Sequence, residues 1–165
     1  MRLNIGICDD FPEQVALLSA YLNRRHDSGA FQIVTGTEPL RFLEDLENTP
    51  PQLVFLDIDM GETSGIRLGE AIKSRYPDTL IIYITAYSKY ACDAFGVRAF
   101  HYLLKPLTEE TLSQVLTEAL DYIEKRRNGI PVKTLTIRNK GETVSLRYDN
   151  IYYFEKAGHR ISVHT

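Results

Sequence analysis

The sequence predicts an α/β fold, a doubly wound five-stranded parallel sheet in (βα)5 order, followed by a short all-β C-terminal fragment. Five short apolar runs alternate with amphipathic stretches in the first three quarters of the chain. Three of these runs are apolar almost throughout, as strands covered on both faces should be. Beyond residue 133 the pattern changes to short alternating pieces separated by glycine and asparagine, which is typical of hairpins.

The five apolar runs are the predicted strands of the sheet. They are Leu3–Cys8, Phe31–Val34, Gln52–Ile58, Thr79–Thr85 and Phe100–Leu104. Because a helical pattern follows each of the first three strands and the last one, the strands should be parallel, with helices on both faces of the sheet.

The helices are predicted from apolar residues at helical spacing. In the first helix Val15, Leu18 and Leu22 share one face, and Asp10 with Glu13 predicts a capping-box start. The second helix carries Leu40, Leu43 and Leu46, the third has a stripe of Leu68, Ala71 and Ile72 with Gly69 outside it, and the last carries Leu112, Leu116, Ala119 and Ile123. Lys125, Arg126 and Arg127 suit the C-terminus of this last helix.

The chain divides into a first domain over residues 1–127, a linker over 128–133 and an incomplete β module over 134–165. Four strand-like pieces lie in this tail: Leu135–Arg138, Thr143–Leu146, Ile151–Glu155 and Ile161–His164. Four pieces are too few to complete a closed β-sheet domain, and their edges would expose unpaired backbone groups. We therefore expect the tail to be poorly ordered or ordered by pairing with a second copy.

Composition indicates an ordinary globular protein, with 44% hydrophobic and 25% charged residues. No apolar run reaches the length of a membrane helix, and Cys8 and Cys92 are too few for a disulfide scaffold. We therefore expect a cytoplasmic protein without a membrane partner. The net charge is −3, yet residues 129–165 hold six Lys and Arg against three Asp and Glu, which favours an anionic partner for the tail.

Polar residues follow four of the predicted strands. Asp9 and Asp10 follow the first, Asp57 lies at the end of the third, Thr85 ends the fourth with Ala86 next to it, and Lys105 and Pro106 follow the fifth. In an open parallel sheet, ligands bind beyond the carboxyl ends of the strands, so these groups should converge. Three carboxylates repel each other unless a cation joins them, and Mg²⁺ prefers such oxygen ligands. The cluster suits phosphoryl transfer, with Asp57 as nucleophile and Lys105 and Thr85 binding phosphoryl oxygens.

Each of these residues taken alone has an ordinary structural interpretation. The pair Asp9 and Asp10 could cap the first helix, Asp57 could belong to a turn, Thr85 could simply end a strand, and Lys105 could lie in a loop with a cis or trans proline. The joint placement at one end of separate strands favours a functional site.

The motifs of residues 1–127 resemble those of the receiver domains of two-component response regulators, which have the flavodoxin-like (βα)5 fold. They are Ile7-Cys8-Asp9-Asp10, Leu56-Asp57-Ile58-Asp59-Met60 with Gly65, Ile84-Thr85-Ala86 and Tyr102-Leu103-Leu104-Lys105-Pro106. One departure is Gly61, where proline is common, and we expect it to loosen the loop after Asp57.

The resemblance implies a phosphoacceptor that is not an enzyme beyond self-phosphorylation and autodephosphorylation. It implies that Asp57 accepts a phosphoryl group from a sensor histidine kinase. Asp10 would bind Mg²⁺ directly, Asp9 through water, and Asp59 through its backbone carbonyl. Thr85 and Ala86 would serve at the phosphoryl group. Thr85 would move toward it while Tyr102 rotates inward. From this switch we predict that phosphorylation strengthens a homodimer.

The tail resembles the start of a LytTR-type DNA-binding domain. The residues that carry this resemblance are Asn139-Lys140-Gly141-Glu142, Asp149–Glu155 and Gly158-His159-Arg160. The resemblance implies a transcription regulator in which His159 and Arg160 reach DNA in the full-length protein; alternatively they form an ordinary polar turn. We expect no sequence-specific DNA binding by residues 1–165 alone.

Two other functions compete with this interpretation. Asp57-Ile58-Asp59 after an apolar strand also resembles the nucleophile motif of haloacid-dehalogenase phosphatases, but there the motif lies on the first strand and the acidic pair comes last. A stand-alone phosphorelay module without a DNA role is the other, and the basic tail argues against it.

Overall fold

The structure, a computed structural model, describes residues 2–25, 30–61, 64–86, 99–130, 134–139, 142–147, 153–157 and 160–164. The chain forms two compact units, residues 1–119 and residues 120–165. The elements up to the last helix are β1 (Leu3–Cys8), α1 (Pro12–Arg25), β2 (Phe31–Gly36), α2 (Pro39–Asn48), β3 (Leu53–Asp57), α3 (Gly65–Arg75), β4 (Leu80–Thr85), β5 (His101–Leu104) and α4 (Glu109–Arg127).

The five strands form one parallel sheet in the order β2-β1-β3-β4-β5. The chain therefore winds outward in one direction from β1 and in the other from β3, which confirms the predicted doubly wound fold. Strand β2 is longer than predicted, because Thr35 and Gly36 continue the pairing opposite Ile7 and Cys8. The switch in strand order lies between β1 and β3, where ligands bind in such sheets.

Alternate residues of the strands face opposite sides of the sheet. On one side the core contains Val54, Leu56, Ile81 and Tyr83 from the strands, packed with Phe42 and Leu46 of α2 and Leu68 and Ile72 of α3. The strand residues of opposite parity include Ile5, Phe55 and Ile82, which are also buried, as are Val15 and Leu18 of α1 and Leu112 and Leu116 of α4. Burial on both faces explains why the central strands are apolar throughout.

Helix α1 begins later than the capping pattern predicts. Its first residue is Pro12, and the Val15 amide donates to the Phe11 carbonyl at 3.3 Å. The prediction of a capping box from Asp10 to Glu13 was therefore wrong. Proline suits the first turn because it has no amide hydrogen to satisfy and its φ is compatible with a helix.

Gly69 lies on the buried face of α3, not outside it as predicted. A Cβ placed there would lie 2.0 Å from the Tyr83 hydroxyl oxygen, so only glycine fits without displacing that ring. The apolar stripe misled the prediction because a residue with no side chain carries no hydrophobic signal even when the helix is buried at that point.

The second unit contains the end of α4 and two hairpins. The Gly129 and Ile130 amides donate to the Arg126 and Lys125 carbonyls, at 3.1 and 2.9 Å, which closes the helix end. Residues 128–130 of the predicted linker thus cap α4, and 131–133 lie outside the described residues.

The strands of the tail pair in sequence order. They are β6 (Thr134–Asn139), β7 (Glu142–Arg147), β8 (Tyr153–Ala157) and β9 (Arg160–His164). The first two form one antiparallel hairpin and the last two another, so the predicted all-β character of the tail is confirmed. None of the helices in the described residues is long and apolar enough to cross a membrane.

Candidate functional site

Two buried carboxylates lie side by side at the carboxyl edge of the sheet. Asp57 is the last residue of β3 and Asp9 directly follows β1, the neighbouring strand. Their exposed fractions are only 5% and 6%. Burying two ionised carboxylates is costly unless a positive charge or hydrogen-bond donors accompany them, so their partners define the site.

Lys105 supplies the positive charge. Its Nζ lies 2.8 Å from Asp9 Oδ2 and 2.9 Å from Asp57 Oδ1, so one ammonium bridges both carboxylates. The Lys105 amide also donates to the Thr85 carbonyl at 2.8 Å, which fixes the start of the loop after β5 against the end of β4. The Lys105-Pro106 peptide bond is cis.

Backbone amides bind the other oxygen of each carboxylate. The Asp59 amide donates to Asp57 Oδ2 at 2.7 Å, and the Phe11 amide donates to Asp9 Oδ1 at 2.9 Å. Each carboxylate is thus oriented by one amide from its own loop and by the shared lysine. Sequence patterns do not reveal the Phe11 contact, because an amide donor is independent of side-chain type.

The loop after Asp57 depends on two glycines. Gly61 has φ +65°, a left-handed conformation that proline cannot adopt, so this loop has a backbone different from one built on proline. Gly65 begins α3, and a Cβ there would lie 1.8 Å from the Asp57 carbonyl oxygen. Its amide donates to the Ile58 carbonyl at 2.9 Å. The first turn of α3 therefore packs directly on the backbone of Asp57.

The pKa values at the site reflect burial and charge. Burial raises the pKa of the Asp57 carboxyl above its usual value, although the hydrogen bond and charge of Lys105 oppose the shift. Burial lowers the pKa of Lys105, but its bonds to Asp57 and Asp9 outweigh this and the net shift is upward. Burial and the neighbouring carboxylates raise the pKa of the Cys8 thiol to about 12, so Cys8 is an unreactive packing residue.

The remaining predicted residues differ in their surroundings. Thr85 is fully buried at the end of β4, whereas Ala86 is exposed. The side chains of Asp10 and Asp59 are exposed, and that of Tyr102 is partly buried against the core under α2 and α3. His159 lies outside the described residues. Arg160 begins β9, but its side chain is not among those described.

The donor set at this edge fits a hard cation. Carboxylates of Asp9 and Asp57, with Asp10 and the Asp59 backbone nearby in sequence, offer only oxygen ligands of the type that Mg²⁺ prefers. Within the described ranges, no three His, Cys, Asp or Glu side chains are grouped as a ready-made metal cluster. A cation here would therefore keep several waters, as Mg²⁺ commonly does.

Comparison with known proteins identifies the family. The signature of the "Response regulator receiver domain" family matches residues 5–117. The chain is similar to the sensory transduction protein LytT of Enterococcus faecalis, with 28% identity over 92% of this chain and 60% of that protein. It is also similar to the transcriptional regulatory protein NatR of Bacillus subtilis, with 26% identity over 99% of this chain and 68% of that protein.

A solved structure agrees in both fold and family. The response regulator protein TrrA of Thermotoga maritima, in complex with Mg²⁺ and BeF, superposes with a TM-score of 0.63 at 27% identity, over 71% of this chain and 98% of that chain. These matches leave the haloacid-dehalogenase alternative without support. Residues 5–117 are a receiver domain, and the chain belongs to the family of two-component response regulators.

Proposed function

We propose that Asp57 accepts a phosphoryl group from a phosphohistidine of a sensor histidine kinase. The observation that supports this most is the environment of Asp57: a carboxylate that is 5% exposed, at the end of the central strand, with Lys105 Nζ on one oxygen and the Asp59 amide on the other. The two donors orient the carboxylate, and its oxygens are the nucleophile.

In the proposed transfer, an Asp57 carboxylate oxygen forms a bond to phosphorus as the bond from phosphorus to the histidine nitrogen breaks. The imidazole leaves with that electron pair, and the product is an aspartyl phosphate. Lys105 lies within 3 Å of both Asp57 and Asp9, so its ammonium can bind a phosphoryl oxygen as the negative charge arrives. Thr85, at the end of the neighbouring strand, is the proposed hydroxyl donor to another oxygen.

Mg²⁺ is the proposed cofactor. Asp10, Asp57 and the Asp59 backbone carbonyl would hold it directly and Asp9 through water. When bound, it neutralises charge on the phosphoryl oxygens. The presence of Mg²⁺ and BeF in the related TrrA structure supports this choice. The chain itself would perform no turnover beyond self-phosphorylation and autodephosphorylation.

The proposed output is transcription control. LytT and NatR are named for sensory transduction and transcriptional regulation, and their similarity extends over more than nine tenths of this chain, into the tail. We therefore propose that residues 134–165 begin a LytTR-type domain, which binds DNA in the full-length protein as a phosphorylation-strengthened homodimer. Such a protein would act in the cytoplasm, together with its kinase and its promoter.

Intact-mass measurement tests the acceptor. We expect incubation with acetyl phosphate and Mg²⁺ to add one phosphoryl group to the native chain and none to Asp57→Asn, because an amide is not a nucleophile here. Asp45→Asn is the matched control, since it makes the same change at an exposed carboxylate of α2 that has no part in the site, and it should keep the label. Undiminished labelling of Asp57→Asn would contradict the assignment.

A further inference from the structure

Met60 is a buried apolar residue inside the loop that follows the acceptor strand. Its exposed fraction is 5%, and it packs in the core beneath α2 and α3 although it belongs to neither helix. The residues on either side of it, Asp59 and Gly61, are exposed. Connecting segments normally run over the surface of a protein, so a buried side chain in one of them needs an explanation. Here the Met60 side chain anchors the loop to the core.

The sulfur atom of Met60 contacts Cys8. The Cys8 Sγ lies 3.7 Å from Met60 Sδ, so the thiol donates a weak hydrogen bond to the thioether. Cys8 is the last residue of β1, is 1% exposed, and directly precedes Asp9. The contact therefore joins the end of β1 to the loop after β3, the two segments that carry the buried carboxylates.

The peptide bond next to this anchor carries the proposed backbone ligand of the metal. The Asp59 carbonyl, which we propose binds Mg²⁺ directly, belongs to the peptide bond between Asp59 and Met60. On the amino-terminal side, the Asp59 amide is fixed because it donates to Asp57 Oδ2 at 2.7 Å. On the other side Gly61 cannot serve as an anchor, because it has no side chain. The Met60 side chain is therefore the support on the carboxyl-terminal side of the ligand carbonyl.

We propose that Met60 is a positioning residue for the metal: its side chain, fixed in the core beside Cys8, holds the Asp59 carbonyl where Mg²⁺ can bind it. The inference rests on the proposed function, since it requires that Mg²⁺ binds beside Asp57 and that Asp59 supplies a carbonyl oxygen. Residues that orient the direct ligands commonly change metal affinity by roughly ten- to hundredfold. Met60 thus acts on the affinity for Mg²⁺ and not on the nucleophile.

The test is a titration of each variant with MgCl2 alone, followed by NMR of the backbone amides, with no phosphoryl donor present. Met60→Ala removes the anchor, and we expect its affinity for Mg²⁺ to fall about tenfold. Met60→Leu refills the space with an apolar side chain of similar volume, so its affinity should return to within about threefold of the native value. Cys8→Ala leaves Met60 in place but removes the sulfur contact, and it should weaken binding about threefold.

Labelling of Asp57 by acetyl phosphate gives a second readout. The labelling rate of Met60→Ala should be reduced at low Mg²⁺ and should reach the native rate at saturating Mg²⁺, because the anchor changes how tightly the metal binds and not the carboxylate itself. A rate that stays low at saturating Mg²⁺ would contradict a role confined to the metal.

Leu46→Ala is the matched control for the loss of core packing. Leu46 is 0% exposed in the same core, but it lies in the last turn of α2, where its carbonyl accepts from the Tyr76 hydroxyl. It should lower the urea midpoint about as much as Met60→Ala does and keep the native affinity for Mg²⁺. An equal loss of affinity in Leu46→Ala would show that lost packing alone weakens the site, and would overturn the inference.

The affinities also separate the inference from the proposed function. Equal Mg²⁺ affinities in Met60→Ala and the native chain would overturn the inference alone, whereas a native chain that does not bind Mg²⁺ would contradict the proposed cofactor as well. Should Met60→Ala fail to fold, a native affinity in Cys8→Ala would overturn the inference.

Discussion

The two ends of the parallel sheet both hold polar groups that are buried or partly buried, but the groups differ in charge. At the amino end the groups are neutral: Thr79 Oγ1 donates to the Pro51 carbonyl at 2.6 Å, and the Asn4 amide donates to Gln52 Oε1 at 2.8 Å. At the carboxyl end the groups are charged, and Lys105 is shared by Asp9 and Asp57.

This difference indicates that the polar groups of the amino end are structural, whereas those of the carboxyl end form a reactive site. Hydrogen bonds between neutral groups satisfy the polar atoms of the amino end at little electrostatic cost. At the carboxyl end two carboxylates share one ammonium, so the cluster of three keeps a net negative charge and burial raises the pKa of Asp57. A further cation would stabilise this negatively charged cluster, as expected of a site that binds Mg²⁺ and phosphoryl groups.

The largest effect on stability should come from Gly65→Ala, because the added Cβ would lie only 1.8 Å from the Asp57 carbonyl oxygen. Because the obstacle is backbone, we expect the free energy of unfolding to fall by about 3 kcal/mol in urea titrations. Gly61→Ala is the matched control. A Cβ at Gly61 meets no atom within 4 Å, so its cost is only that of the left-handed φ, about 1 kcal/mol. Equal losses in both variants would refute the close-packing argument.

Lys105→Met should affect the chemistry at the carboxyl end. Removing the shared ammonium should slow labelling of Asp57 by acetyl phosphate about a hundredfold, since preorganised positive charge at a phosphoryl group has effects of this size. The measurement is the time course of intact mass. Lys125→Met, which removes the partner of Asp121 on α4, is the control and should label at the native rate. A native rate for Lys105→Met would show that Lys105 has no role in the transfer.

Thr79→Val, at the amino end of the sheet, should lower the stability of the protein without affecting its phosphorylation. The change removes a buried hydroxyl and leaves the Pro51 carbonyl without that donor, so unfolding should become easier by about 2 kcal/mol. The rate of Asp57 labelling should remain native. If labelling slowed as well, the two ends of the sheet would be coupled, and the amino end could not be regarded as purely structural.

Asp57→Asn should change the free energy of unfolding least of these variants, and the sign of that change is informative. The pKa of Asp57 is raised in the folded protein, so its contribution to stability is greatest below the unfolded pKa of 3.8 and is lost as pH rises through the folded pKa. The neutral asparagine avoids this loss. We therefore expect Asp57→Asn to be more stable than the native chain at pH 7, with a smaller difference at pH 4. A larger advantage at pH 4 would contradict the direction of the shift.

Much of the fold was predictable from the sequence, because buried parallel strands need continuous apolar runs. The five strands were confirmed with small changes at their ends, and so was the pairing character of the tail. The convergence of Asp9, Asp57 and Lys105 follows from the rule that the carboxyl ends of parallel strands meet at one edge, whereas the order of the strands was known only from the structure.

The parts that escaped prediction depend on close contacts between distant residues. The sharing of Lys105 by Asp9, which is 96 residues away, requires the distance between two loops. The approach of Tyr83 to Gly69 requires the separation of a helix from a strand. The start of α1 was predicted wrongly because Phe11, and not Asp10, supplies the first carbonyl of the helix, while Asp9 accepts from the Phe11 amide and Lys105 within the site.

The absence of a side chain at Gly65 has a mechanical consequence. The first turn of α3 packs on the peptide of Asp57, so a movement of that peptide can tilt the helix about its first turn. The eleven residues of the helix extend about 16 Å, and a tilt of about 5° would displace the far end by roughly 1.4 Å. At that end Arg75 forms an ion pair with Glu47 of α2. Because Leu68 and Ile72 of α3 are part of the core, such a tilt would carry their side chains with it and link the surroundings of Asp57 to the outer surface.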